Sequence, residues 1–197
     1  MHVKNILSKE YHTALLDMVT SLDFPWYYQP NIAYSKLRPG ELIDPMSVDS
    51  FGLVHTVWDA EKGKVSEVLK LMGPVIDGFT AQTGITCKDF IRIKINLQTP
   101  IVNNIPNGYN GAHVDRYTPH KTIIYYIDDS DGDTFIFNEI FDNNDPSTHP
   151  PLVSPTVKER ITPEANSLYY LENGCQYHSS SNPVNTDRRY TINFNFT

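Results

Sequence analysis

Apolar positions along the first third of the chain fall at helical intervals, then give way to strand-like alternation. Between Ser8 and Leu22, the residues Tyr11, Leu15, Leu16, Met18, Val19 and Leu22 recur as one face of a helix, and Ser8 is placed to cap its first turn. The stretch from Asp23 to Trp26 breaks that pattern. From Phe24 to Val57 the chain is aromatic, with turn signals at Asn31, at Pro39 with Gly40 and at Asp44 with Pro45, which predicts short strands and loops. The best strand there is Leu53 to Trp58. From Glu61 to Thr83, Val65, Val68, Leu69, Met72, Val75, Ile76 and Phe79 recur at three and four, predicting one helix against a sheet, with Pro74 a candidate kink and Gly84 the stop.

Beyond Gly84 the period shortens. Phe90 to Leu97 alternates apolar and polar side chains and predicts a strand with unlike faces. Further strands are expected over Lys121 to Ile127, Thr134 to Ile140, Ser167 to Leu171 and Arg189 to Phe196, a spacing that suits a sandwich or barrel. Asp128 to Asp133 reads as an acidic hairpin turn, and Asn143 to Pro155 as a loop.

Composition narrows the class. At 197 residues the chain has the length of one domain able to bury a core without staples, and the whole of it, 1–197, is read as a single unit. Sixteen Lys and Arg against 23 Asp and Glu give a net charge of -7, and no basic run is dense enough to track a phosphate backbone, so nucleic acid is not an expected partner. Two cysteines, Cys87 and Cys175, are too few for a disulfide scaffold or thiolate cluster and fit a reducing compartment. The first residues lack the apolar run of a signal peptide, and no stretch approaches the roughly 20 apolar residues of a membrane span. The expectation is a soluble, cytoplasmic protein whose oligomeric state is not readable.

Candidate chemistry lies in the second half. His113 and Asp115 are two residues apart; in an extended stretch both side chains leave the same face, one step of roughly 7 Å apart, which can serve one cation. A third ligand must come from elsewhere. His178, after the strand-like Ser167 to Tyr170 and a turn, is the best candidate, with His55 and His120 as weaker competitors. Two imidazoles and one carboxylate form the facial triad that suits non-haem iron(II), with positions left open for small molecules. In the last strand Arg189, Thr191, Asn193 and Asn195 share one face, and Tyr190, Ile192, Phe194 and Phe196 the other. The aromatic face belongs in a core, whereas a polar face headed by an arginine 11 residues after His178 is suited to clamp a carboxylate. Arg188 has the opposite parity and reads as a surface or ion-pair residue.

His113 and Asp115, then His178, then the strand opened by Arg189 and Tyr190 closely resemble the iron(II)- and 2-oxoglutarate-dependent dioxygenases, especially the prolyl hydroxylase-like branch and its small bacteriophage members. The resemblance runs from about Phe90 to Thr197. It implies a mainly β double-stranded β-helix, or jelly roll, over 90–197, with helices and strands of 1–89 in support. It also implies iron held by His113, Asp115 and His178, and Arg189 binding the far carboxylate of 2-oxoglutarate. Tyr126, with Tyr125 as the alternative in a shifted register, Thr191, Asn96 and Gln98 would lie about the co-substrate, and the segment from Gly132 would line the pocket. The implied cofactors are Fe(II), 2-oxoglutarate and O2, with ascorbate a candidate reductant.

The activity so implied is hydroxylation of an unactivated C–H bond, with release of succinate and carbon dioxide. Asp115 fills the position that halogenating relatives leave open for halide, so hydroxylation is favoured; desaturation, ring closure and demethylation are not separated from it. A prolyl or other peptidyl residue and a small metabolite are the competing substrate classes. In a phage protein the setting would be the host cytoplasm. The alternatives are a non-catalytic jelly-roll binding or structural protein, and a cupin-like isomerase or zinc hydrolase.

Overall fold

A computed structural model describes residues 1–32, 44–48, 50–102, 104–149, 152 and 154–197. Along the described residues run β1 (His2–Lys4), α1 (Lys9–Thr20), β2 (Tyr27–Gln29), β3 (Ser47–Val48), β4 (Gly52–Asp59), β5 (Gly63–Lys64), α2 (Gly73–Thr83) and β6 (Phe90–Gln98). They continue with β7 (Tyr109–Asn110), β8 (Lys121–Tyr126), β9 (Thr134–Ile140), β10 (Val157–Ile161), β11 (Ser167–Leu171), β12 (Gln176–Ser180) and β13 (Arg189–Phe196). The expected turn at Pro39 and Gly40 lies outside the described residues, as do Pro150, Pro151 and Val153 of the expected loop.

The Ser8 hydroxyl accepts from the Tyr11 amide at 3.3 Å and starts α1, whose Leu15 and Val19 are buried. The single helix expected over 61–83 is instead three pieces. Gly63, at φ 73°, turns the chain from β4 into β5; the Ser66 hydroxyl then caps a 3-10 turn over Glu67–Leu71; and α2 begins only at Gly73. Pro74 opens α2, where its missing amide costs nothing, and does not kink a longer helix. Gly84 ends α2 in the left-handed conformation, φ 72°, as its position predicts.

The larger sheet runs in the order β1, β11, β8, β13, β6, β4, β2, with β5 paired to β4; β10, β9 and β12 form a second sheet, and β3 pairs β7 in parallel. One face of the larger sheet meets the helices, where Ile93, Ile95, Ile123, Tyr125, Leu168, Ile192, Phe194 and Phe196 pack with Leu15, Val19, Val75 and Phe79. On the opposite face Ile124, Tyr126, Tyr169 and Leu171 pack with Ile136 and Ile161 of the smaller sheet. The expected hairpin at Asp128 to Asp133 is therefore a crossing between sheets, because β8 and β9 do not pair with each other. Its acids are spent on holding the crossing: Asp128 pairs with Arg188 at 3.1 Å, Asp133 with Arg160, and the Asp131 carboxylate accepts from the amides of Val184, Asn185 and Thr186. Among the described residues no helix is long and apolar enough to cross a membrane.

Candidate metal centre

His178 lies on β12 and is buried. His113 lies outside the named strands. It is held by an isolated bridge in which the backbone amides of His113 and His178 each donate to the other's carbonyl at 2.9 Å. This bridge sets the two rings 4.8 Å apart. Asp115 completes the group: its Oδ2 lies 3.7 Å from His178 Nε2, and one donor atom from each of the three residues falls within 4.8 Å of the others. His113 Nδ1 faces the Gly111 carbonyl at 3.0 Å and His178 Nδ1 the Gln176 carbonyl at 3.3 Å. With those nitrogens donating, each Nε2 carries a lone pair, the tautomer a metal-binding histidine requires. His178 Nε2 is buried and has no hydrogen-bond partner among the described residues.

The charge states agree with that use. Burial, with His178 alongside, lowers the His113 imidazole to about 4, so it is neutral near pH 7. Burial acts on Asp115 by raising it, but the Arg92 guanidinium at 2.6 Å, together with His178, His113 and Lys94, outweighs this and holds the carboxyl well below the usual range. Asn195 donates to the other oxygen at 2.9 Å. The carboxylate is thus ionised and oriented from two sides.

Register on the larger sheet lays the remaining polar residues out in rungs. Arg92 of β6 stands opposite Asn195 of β13, which stands opposite Thr122 of β8; Lys94, Asn193 and Ile124 form the next rung, Asn96, Thr191 and Tyr126 the third, and Gln98 with Arg189 the last. Period-two alternation turns all of them to the face opposite the helices. Arg189 is only 4% exposed, and its guanidinium donates to the Gly132 carbonyl at 2.7 Å, Gln98 Oε1 at 2.8 Å and Thr134 Oγ1 at 2.8 Å. No carboxylate lies within 4 Å of it among the described residues. Gly132 permits this arrangement, because a Cβ there would meet Arg189 Cδ at 2.9 Å and the Ser181 carbonyl at 2.8 Å.

Tyr126 lies on the rung face and gives its hydroxyl to Thr134 at 2.9 Å, with burial raising it to about 12. Tyr125 points the other way, to His12 and Asn166. Asn96 and Thr191 line the pocket together with His113, Asp115, His178 and Arg189; it encloses about 580 Å³, open mouth included. Gln29, Ile32 and the stretch from Gly52 to Val54 also line it, so the first third of the chain supplies pocket wall as well as support.

Sequence reasoning passed over Arg92 and Lys94. Both sit on the polar face of the strand it identified, and parity with Asn96 was the available signal. The competing histidines are otherwise engaged. His55 is held between the Pro25 carbonyl and the Ser66 hydroxyl at 2.9 and 2.8 Å, and His120 faces the Thr118 carbonyl and packs on Gly174.

No protein-family model matches the sequence, and no curated protein does. Solved structures do match in fold. The non-haem α-ketoglutarate-dependent epimerase SnoN of nogalamycin biosynthesis aligns at TM-score 0.65 and 11% identity, over 100% of this chain and 75% of that one. A 2-oxoglutarate–Fe(II) oxygenase family oxidoreductase from Burkholderia pseudomallei aligns at 0.59 and 13%, over 98% and 81%. A prolyl-4-hydroxylase from Pseudomonas putida aligns at 0.54 and 12%, over 100% and 91%. The chain has the fold of the 2-oxoglutarate- and iron(II)-dependent oxygenases, and within it two histidines and one carboxylate are gathered at a single point.

Proposed function

We propose that this protein is an iron(II)- and 2-oxoglutarate-dependent dioxygenase that hydroxylates an unactivated C–H bond of a prolyl or other peptidyl residue or of a small metabolite. The observation that carries the reading is the buried, unpartnered Nε2 of His178, aimed at Asp115 beside a neutral His113. His120 Nε2 is also buried without a partner among the described residues, but of the two only His178 has a second imidazole and a carboxylate within 4.8 Å, so its free nitrogen belongs to a complete donor set. Two imidazoles and a carboxylate are a donor set suited to Fe(II) with coordination positions left over. The strand crossings from β8 to β9, β10 to β11 and β12 to β13, each passing between sheets, support reading the two sheets as a double-stranded β-helix.

Iron(II) with 2-oxoglutarate supplies the oxidising power when bound: O2 delivers one oxygen atom to the substrate C–H and the other to succinate, with carbon dioxide released. The protein's own tasks are placement and exclusion of water. His113, Asp115 and His178 would hold the metal, with Arg92 and Asn195 fixing the Asp115 carboxylate. Arg189 would take the far carboxylate of the co-substrate, with Tyr126, Thr191 and Asn96 on the adjoining rung shaping its channel.

Anaerobic addition of Fe(II) and then 2-oxoglutarate should produce the visible charge-transfer band of the chelate. His178→Ala should abolish it. A wild-type protein that gives no band under these conditions is not such an enzyme, and a full band in the variant removes His178 from the ligand set.

A further inference from the structure

Lys94 is half-buried on the second rung, in the wall of the same pocket, and its ammonium makes no hydrogen bond or ion pair among the described residues. A buried cation without a counter-ion loses hydration with nothing in return, and burial lowers this one to about 8, with Arg92 pushing the same way and Asp115 opposing. It remains largely protonated near pH 7. Asp115 is the one carboxylate among the described residues lining the pocket, and Arg92 and Asn195 already occupy its oxygens.

Counting charges in the loaded site isolates Lys94 further. The two positive charges of Fe(II) would be met by the near carboxylate of 2-oxoglutarate and by Asp115, which Arg92 already shares, so no negative charge is left over for Lys94. Arg189, two rungs from Lys94, is met by the far carboxylate. The Lys94 ammonium is still without an anion, one rung, or roughly 7 Å of strand, from the Arg92–Asn195 pair that clamps Asp115. From this arrangement we infer that the substrate is a small carboxylic acid, recognised by Lys94 through its carboxylate, with the oxidised carbon only a few bonds from that group. A single ammonium, with no second cation beside it other than the engaged Arg92, suits one carboxylate better than a doubly charged phosphate. Its depth in the wall favours a small molecule over a side chain in mid-peptide, whose flanking backbone would have to enter with it. The inference rests on the dioxygenase reading and narrows its substrate class.

The test uses the anaerobic complex of the whole protein with Fe(II) and 2-oxoglutarate. The proteinogenic amino acids, each as the free acid and as the primary amide, are titrated against the charge-transfer band and, separately, against thermal unfolding of the same complex. At least one free acid should shift the band and bind about tenfold or more tighter than its amide. In Lys94→Gln and Lys94→Met that preference should shrink to about twofold or less, while the affinity for 2-oxoglutarate changes by less than about threefold. Amides binding as well as acids, or no acid perturbing the wild-type complex, overturns the proposal. So does a large loss of 2-oxoglutarate affinity in the Lys94 variants with substrate preference intact, which would assign the ammonium to the co-substrate. Failure of the wild type to form any band removes the dioxygenase reading and this inference with it, and is distinguishable because it precedes the acid and amide additions.

Discussion

Replacing Arg189 by methionine separates a structural arginine from one awaiting an anion, because the two roles predict different pairs of effects. The guanidinium is almost fully buried and rests on three neutral acceptors at 2.7–2.8 Å, without a carboxylate in ion-pair range among the described residues. Removing it strands the Gly132 carbonyl, Gln98 Oε1 and Thr134 Oγ1, at about 1 kcal/mol each. It also removes an uncompensated buried charge, and exchanging buried charge for apolar volume is often neutral or stabilising by about 1–4 kcal/mol. The opposing contributions nearly cancel. With a net of at most about 2 kcal/mol, the apoprotein's melting temperature should therefore move by no more than about 8 °C, since 1 kcal/mol is roughly 2–4 °C at this size. For 2-oxoglutarate no such cancellation operates. Deleting one partner of a desolvated charge pair costs about 2–5 kcal/mol, roughly 30-fold to several-thousand-fold in affinity. Anaerobic titration of the Fe(II) protein, followed at the charge-transfer band, measures the second number, and calorimetry of the apoprotein the first. A fall of more than about 10 °C with unchanged 2-oxoglutarate affinity would refute the assignment.

Arg92→Gln should weaken Fe(II) binding by about 10–100-fold, the usual cost of losing a group that orients a metal ligand, as measured by competition with a chelator. Gly132→Ala forces a Cβ against the Ser181 carbonyl and Arg189 Cδ, so it should cost about 1–3 kcal/mol of stability and also weaken 2-oxoglutarate binding, both read in the assays above. Asp131→Ala frees the amides of Val184, Asn185 and Thr186 and should lower stability by about 1–3 kcal/mol near pH 7. Although burial tends to raise the Asp131 carboxyl, those hydrogen bonds hold it well below its ordinary value. Its contribution is therefore full above the unfolded value near about 4 and fades as pH falls toward the folded one, so denaturation curves of wild type and variant should converge in acid.

What could be read from sequence alone follows from how each signal is generated. Strands with one apolar face, β6 and β13, announce themselves by alternation, and β9 and β11, apolar on both faces, by a short continuous run; the predicted spans match within a residue. The strand β12 does not: apart from Tyr177 its residues Gln176 to Ser180 are polar yet almost wholly buried, His178 beside His113 and Asp115. β10 fails for the opposite reason, being a largely exposed edge with Lys158, Glu159 and Arg160 in succession. The region 61–83 kept a helical period although Gly63 and Ser66 divide it, since periodicity does not register a turn chosen by two residues. His113, Asp115 and His178 were legible as residue types in an order; the backbone bridge that places the two rings side by side depends on pairing across 65 positions and leaves no local mark.

The distribution of unsatisfied groups explains why the pocket has to be a site of binding and not merely a gap between sheets. Six side-chain atoms are buried without a hydrogen-bond partner among the described residues; Arg92 Nε, Gln98 Nε2, His178 Nε2 and Asn195 Oδ1 stand on the rungs or in the triad, and His120 Nε2 and Asp133 Oδ1 lie outside them. Lys94 and Arg189 add two cations in the same wall that have no anion among the described residues. Each such group withholds about 1–3 kcal/mol, an amount that folding alone would not retain in one place when the opposite face of the same strands is filled by Ile93, Ile95, Ile192 and Phe194. A ligand set that supplies one metal cation between the imidazoles, a dicarboxylate reaching Arg189 and one further carboxylate at Lys94 would satisfy the largest of these together. Binding should then be mutually reinforcing: Fe(II) and 2-oxoglutarate should raise the melting temperature more in combination than the sum of their separate effects. Strict additivity would mean that these unsatisfied groups do not belong to one site.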